Sequence, residues 1–119
     1  MATKEIANRL AELCRQGKWE EAQKELFSDD AVSIEPHASP GFDKETKGLN
    51  AIIEKGHKFQ SMTETLHRVD ISEPIVSGNT IAFKLVMDVT MRGKPRETWE
   101  EICVYQVKDG KIISEQFFI

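Results

Sequence analysis

The chain has 119 residues, with 16 Lys and Arg against 20 Asp and Glu and a formal net charge of −4. That length suits one domain able to bury a sizeable core. The acidic balance argues against nucleic acid or an anionic membrane as the partner, because both call for a cationic surface that displaces counterions. Hydrophobic residues make up 39% and charged residues 30%, which excludes disorder, and no run reaches the roughly 18 apolar residues of a membrane helix. Lys4, Glu5, Arg9, Glu12 and Arg15 interrupt the start of the chain, so no secretory leader is expected. Cys14 and Cys103 are too few for a disulfide framework or a cysteine zinc site. The expectation is a cytoplasmic protein with no metal and no cofactor.

Helical periodicity fills the first half of the chain. Ile6, Leu10, Leu13 and Cys14 recur at three- and four-residue spacing, which predicts an amphipathic helix over 4–16 with Thr3 as N-cap and Gly17 as its stop. Trp19, Ala22, Leu26 and Phe27 predict a short second helix over 18–27. Ser28-Asp29-Asp30 reads as a turn before a short strand at 31–35, and residues 36–47, with Pro36, Pro40 and Gly41, read as a loop. Leu49, Ile52, Ile53, Gly56 and Phe59 predict a third helix over 48–61.

The period then switches to two. Thr65, His67, Val69 and Ile71 share one face of a strand, and Ser77-Gly78-Asn79 is a turn. Ile81, Phe83, Leu85, Met87, Val89 and Met91 alternate with more polar residues, so the odd positions face inward. A three-residue loop at Gly93-Lys94-Pro95 sets Met87 opposite Glu101 and Leu85 opposite Cys103, keeping the odd set inside. A three-residue loop at Lys108-Asp109-Gly110 is the favoured reading for the last hairpin. It pairs Cys103 with Glu115 and Glu101 with Phe117. A two-residue Asp109-Gly110 turn would instead point Glu115 outward.

Helices grouped before an antiparallel sheet predict an α+β fold with the helices on one sheet face. A curved sheet closed by helices leaves a cone-shaped cavity, the usual form of a small-molecule site. Gly17-x-Trp19, Leu26 to Val32, Glu35-Pro36, Lys47-Gly48-Leu49-x-Ala51-Ile52 and Lys108 to Ile112 resemble SnoaL-like, nuclear-transport-factor-2-like domains. The resemblance covers residues 1–119 as a single domain. It implies a cone-like α+β barrel of three N-terminal helices on a curved, mainly antiparallel mixed sheet. It also implies a homodimer formed through the sheet, which the apolar Ile102 and Val104 would suit. Ketosteroid isomerases, which share this fold, keep a general-base carboxylate where Glu35 falls. Their oxyanion tyrosine aligns near Leu10 and their protonated aspartate with Cys103, neither of them a good donor. Epoxide hydrolases of this fold place an aspartate where Phe117 stands, so neither catalytic set is complete.

The candidate catalytic residues are Glu35, Glu101, Glu115 and His67. Carboxyls bordering one apolar cavity are pushed toward their neutral form by desolvation and by each other, which makes usable general acids and bases near neutral pH. The plainer alternatives are a solvated strand end for Glu35 and solvent or strand-neighbour contacts for Glu101 and Glu115. His67 either relays a proton or is a core histidine with one hydrogen bond. His37 and His57 are read as surface residues, and no histidine spacing suggests a metal. Leu10, Phe59, Leu85 and Met87 are expected to line the pocket, together with Trp99, Cys103, Tyr105 and Phe117. The aromatics serve equally as wall or as core, and Cys103 is expected to be structural. Two functions follow. One is a pocket protein doing cofactor-independent proton transfer (isomerase, cyclase, dehydratase or hydrolase) on a small, largely apolar or amphipathic molecule, with His67 or Tyr105 polarising an oxygen. The other is a non-catalytic ligand-binding or dimerisation module with a filled cavity.

Overall fold

Helix α1 (Thr3–Arg15) buries Ile6, Ala7, Leu10, Ala11, Leu13 and Cys14 along one stripe, as its three- and four-residue apolar spacing requires. Its N-cap is Ala2, one residue before the expected Thr3. Alanine has no side-chain oxygen to offer, and Glu5 instead reaches back to accept the Ala2 N–H at 3.1 Å. Gly17, at φ +71°, ends the helix. Helix α2 (Trp19–Leu26) follows, and Arg9 grips Glu25 at 2.7 and 3.0 Å between the two helices. This computed structural model describes residues 2–119.

Strand β1 (Phe27–Ile34) starts directly from α2, so Ser28-Asp29-Asp30 is strand and not a turn. The polar triplet is accommodated by a register shift between Phe27 and Val32. Within the expected loop, β2 (Glu45–Lys47) pairs antiparallel with Val32 to Ile34. Helix α3 (Leu49–Met62) leads into β3 (Thr63–Ile71), then β4 (Ile75–Ser77), β5 (Thr80–Met91), β6 (Arg96–Lys108) and β7 (Lys111–Phe118). The strands make one open mixed sheet in the order β2-β1-β7-β6-β5-β3, with β4 also on β5. β1 and β7 are parallel, and the remaining pairs are antiparallel. The sheet is therefore α+β and mainly antiparallel as expected, but it does not close into a barrel. The core joins α1, α2 and Ile52 of α3 to the odd positions of β5 and β6, with Ile112 from β7.

Both hairpins differ from expectation in detail while keeping the inward face. The first hairpin closes on the Thr90–Arg96 pair, with five residues, 91–95, between them, so Leu85 lies opposite Glu101 and Phe83 opposite Cys103. The shift from the expected pairing is two residues along the partner, an even number, and facing depends only on parity. The last hairpin has the two-residue turn, with Lys108 opposite Lys111 and positive φ at Asp109 (52°) and Gly110 (76°). Those are the dihedral signs of the turn that matches the natural strand twist. Taken alone it would send Glu115 outward. A bulge places Ile113 as an extra residue between the Gln106–Ser114 and Val107–Ile112 pairs, which restores the parity. Glu115 therefore lies opposite Tyr105, and Phe117 opposite Cys103. Replacing Gly110 by alanine should cost about 1 kcal/mol, because a Cβ strains this left-handed position; the urea midpoint would move while the denaturant slope stays constant.

Candidate functional site

The parallel β1–β7 pair places Ser33 directly beside Glu115. Both are buried, Glu115 at 6% exposure. The Ser33 hydroxyl donates to Glu115 Oε2 at 2.7 Å. From α3, Lys55 Nζ donates to Ser33 Oγ at 2.6 Å and to Glu35 Oε1 at 3.0 Å. The Lys55 side chain is only 16% exposed. Its position follows from helical geometry, since Ile52, Lys55 and Phe59 lie three and four residues apart on the face turned to the sheet. Glu35 extends β1 by one residue, anchored by its N–H to the Lys44 carbonyl at 2.7 Å. The result is a continuous chain of charged hydrogen bonds, Glu35–Lys55–Ser33–Glu115.

Glu101 stands two residues from Cys103 on β6, half-buried, on the same inward parity. Burial, then the charges of Glu35 and Glu115, push its carboxyl from the usual range up to about 7, and Lys55 pulls the other way. No hydrogen bond contributes to its shift. For Glu115, burial pushes the carboxyl up, and the Ser33 hydrogen bond and the Lys55 charge oppose it. Burial also raises Cys103 and Tyr105, and it takes Cys14 to about 12, so both thiols stay protonated and unreactive at neutral pH.

Glu35, Glu101 and Glu115 thus come into one electrostatic cluster. His67 does not join it. A register shift between Leu66 and Arg68 leaves His67 exposed on edge strand β3, where Nε2 meets Thr90 Oγ1 at 2.8 Å. That corrects its expected place beside Val69 and Ile71. Among the residues expected to line a pocket, Leu10, Leu85, Cys103 and Tyr105 are packed in the core. Tyr105 rests against Phe83 and Phe27, with ring centroids 5.3 and 6.4 Å apart. Phe59, Met87, Trp99 and Phe117 are only partly buried, and Phe59 meets Trp99 at 6.0 Å.

Sequence reasoning overlooked Lys55 and Ser33. The signal was present: a lysine on the apolar face of α3, and a serine alternating inward with Ala31 and Glu35. His57 also has a partner that its surface position concealed, because Nε2 bonds Glu20 on α2. Two open concavities are present. One, of about 360 Å³, lies between the 41–46 segment and α3 and includes Phe42, Lys55 and Lys58. The other, of about 160 Å³, lies on the opposite face of the sheet and is lined by Lys84, Glu100, Ile102 and Phe118, with Glu101 at its edge. Among the described residues no cluster of three or more His, Cys, Asp or Glu has a metal-holding arrangement, and no helix is long and apolar enough to cross a membrane.

Three helices over one face of an open mixed sheet, with carboxyls gathered beneath them, define an α+β protein of the nuclear-transport-factor-2-like class. Within it the chain belongs to the SnoaL-like domain family, whose model matches residues 1–119. Among solved structures it is similar to a candidate SnoaL-like polyketide cyclase from Mesorhizobium loti, with TM-score 0.92, 31% identity and 100% of each chain covered. It is also similar in fold to TerC co-crystallised with polyporic acid, with TM-score 0.81, 16% identity, and 99% and 92% of the two chains covered. A third is a protein with a ketosteroid isomerase-like fold from Catenulispora acidiphila, in complex with trimethylamine. There the TM-score is 0.75, the identity 16%, and the coverage 97% and 85%. No curated protein matches the chain in sequence.

The sign of the pH effect on stability follows from Glu101. An acid whose folded pKa is raised stabilises the fold fully below its ordinary value near 4.5 and loses that contribution as pH climbs through about 7. Glu101→Gln mimics the protonated form. Its melting temperature should match wild type near pH 4, below the ordinary carboxylate value, and exceed it at pH 8, as calorimetry at the two pH values would show.

Proposed function

We propose that the protein holds a small, largely apolar or amphipathic molecule on the helix-covered side of the sheet and moves a proton on it without a cofactor. The observation that carries this reading is Glu101. It is half-buried, free of hydrogen bonds, and balanced between acid and base near neutral pH. A general acid–base needs that balance together with access to substrate. Glu115 is sealed in and bonded to Ser33, so its part is to hold Glu101 up by its charge. Glu35, paired with Lys55, does the same from the other side. Phe59, Trp99 and Phe117 supply apolar surface beside the carboxyl, as a mainly hydrocarbon ligand requires. The reaction class is isomerisation, cyclisation, dehydration or hydrolysis. Small-molecule complexes of the fold, with polyporic acid in TerC and trimethylamine in the Catenulispora protein, support the binding side of this reading. The exposed Ile102 and Phe118, which pair on the opposite face, fit a homodimer formed through the sheet. A cytoplasmic setting suits two free, buried thiols.

A second reading, ligand holding without turnover, is favoured by the Phe59–Trp99 contact that occupies part of the space beneath the helices. Incubating the protein with a panel of small cyclic ketones and enones in heavy water separates the two. On the first reading NMR shows deuterium entering next to a carbonyl, at a rate that rises with pH through about 7. Glu101→Gln should then reduce that rate by roughly a hundredfold or more. Ligand-induced shifts without exchange for any compound would establish the second.

A further inference from the structure

We propose that the hairpin joining β1 to β2 is a strap, latched to α3 by Lys58, that governs access to the concavity through which solvent reaches Lys55. The inference is independent of the proton-transfer reading, since it concerns only how that space opens.

The hairpin has two firm ends joined by loose arms. At its base the Glu35 N–H donates to the Lys44 carbonyl at 2.7 Å, continuing the Ile34–Glu45 pairing of the two strands. At its tip Ser39 and Phe42 exchange both backbone bonds, at 3.0 and 2.9 Å. Pro40 and Gly41 lie between them, with Gly41 at φ +83°, which is the residue order of a type II turn. Residues 36–38 make no backbone hydrogen bond across to residue 43. From His37 to Lys44 every residue is exposed except the half-buried Phe42. A segment with so little buried surface has low local stability, so its position depends on the few contacts that fix it.

Lys58 supplies those contacts. From α3 it donates to the Gly41 carbonyl, and its Nζ lies 5.0 Å from the centroid of the Phe42 ring. A β-carbon at position 41 would stand 2.8 Å from that Nζ and push the ammonium away, so the latch needs glycine there as much as the turn does. Both partners of the ammonium are uncharged. One such hydrogen bond with one exposed cation–π contact is worth about tenfold in population. That keeps the strap closed most of the time without locking it.

The latch sits over a space. The concavity of about 360 Å³ has Gly41, Phe42 and Thr46 on the hairpin side, and Ala51 and Lys55 on the α3 side. Lys55 is only 16% exposed with the hairpin in this position, and its partner Glu35 forms the hairpin's base. Lys58 joins the two walls, so its release widens the opening over Lys55 while the base stays paired.

Acetylation of Lys55 by acetic anhydride, read by peptide mass spectrometry against the exposed Lys4, tests this. Lys58→Met, at an exposed helix position, should raise it about tenfold, and Lys58→Arg should stay near wild type. In Lys58→Met the 15N order parameters of residues 37–43 should fall from about 0.85 to below about 0.6, with β1 and α3 unchanged. Equal acetylation of Lys55 in wild type and Lys58→Met overturns the proposal. Faster acetylation beside a hairpin that stays rigid also overturns it, because the lost charge alone then accounts for the rate. If Lys58→Met does not fold, Phe42→Leu decides by the same two readouts. It removes only the ring contact and should raise acetylation about threefold, and no rise overturns the proposal.

Discussion

The hydrogen bonds from Lys55 to Ser33 and Glu35, continued from Ser33 to Glu115, join helix α3 to the two parallel strands β1 and β7. A buried carboxyl near a part-buried lysine is costly unless each has a partner, since desolvation of a charge outweighs an imperfect pairing. Here Ser33 reconciles them by accepting from the ammonium and donating to the carboxyl. No buried polar side-chain atom lacks a hydrogen-bond partner among the described residues. The position of α3, and hence the shape of the space under it, is tied to this chain as well as to the apolar anchor Ile52.

The same chain sets the chemistry. Three carboxyls and one ammonium share a region where water is largely excluded, so the negative excess must be relieved by proton uptake. Glu115 is sealed and hydrogen-bonded, and Glu35 is paired with Lys55. The relief therefore falls on Glu101, which is close enough to be raised by both of the others and open enough to exchange protons. One structural device thus yields a titratable acid beside a fixed cation.

Much of the fold was legible because periodicity reports burial directly. The odd positions of β5 and β6, the apolar stripe of α1 and the switch from helical to strand period all carried over into the structure. Turn geometry was less legible. The Asp109-Gly110 dipeptide codes for a two-residue turn, but nothing local to it announces the bulge at Ile113. His67 was misplaced because alternation assumes an unbroken strand, and β3 is broken by register shifts on the sheet edge.

The sequence by itself determined the class: three amphipathic helices before a mainly antiparallel sheet, and an acidic balance. These follow from local spacing, which the chain carries whatever its surroundings. Only the tertiary structure decided that Glu115 points inward, that Lys55 and Ser33 bridge the carboxyls, and that His67 stands apart. Each of those depends on which residues from distant segments become neighbours. The parallel pairing of Ser33 with Glu115 joins positions 82 residues apart in the chain, a relation that strand alternation within either segment does not contain.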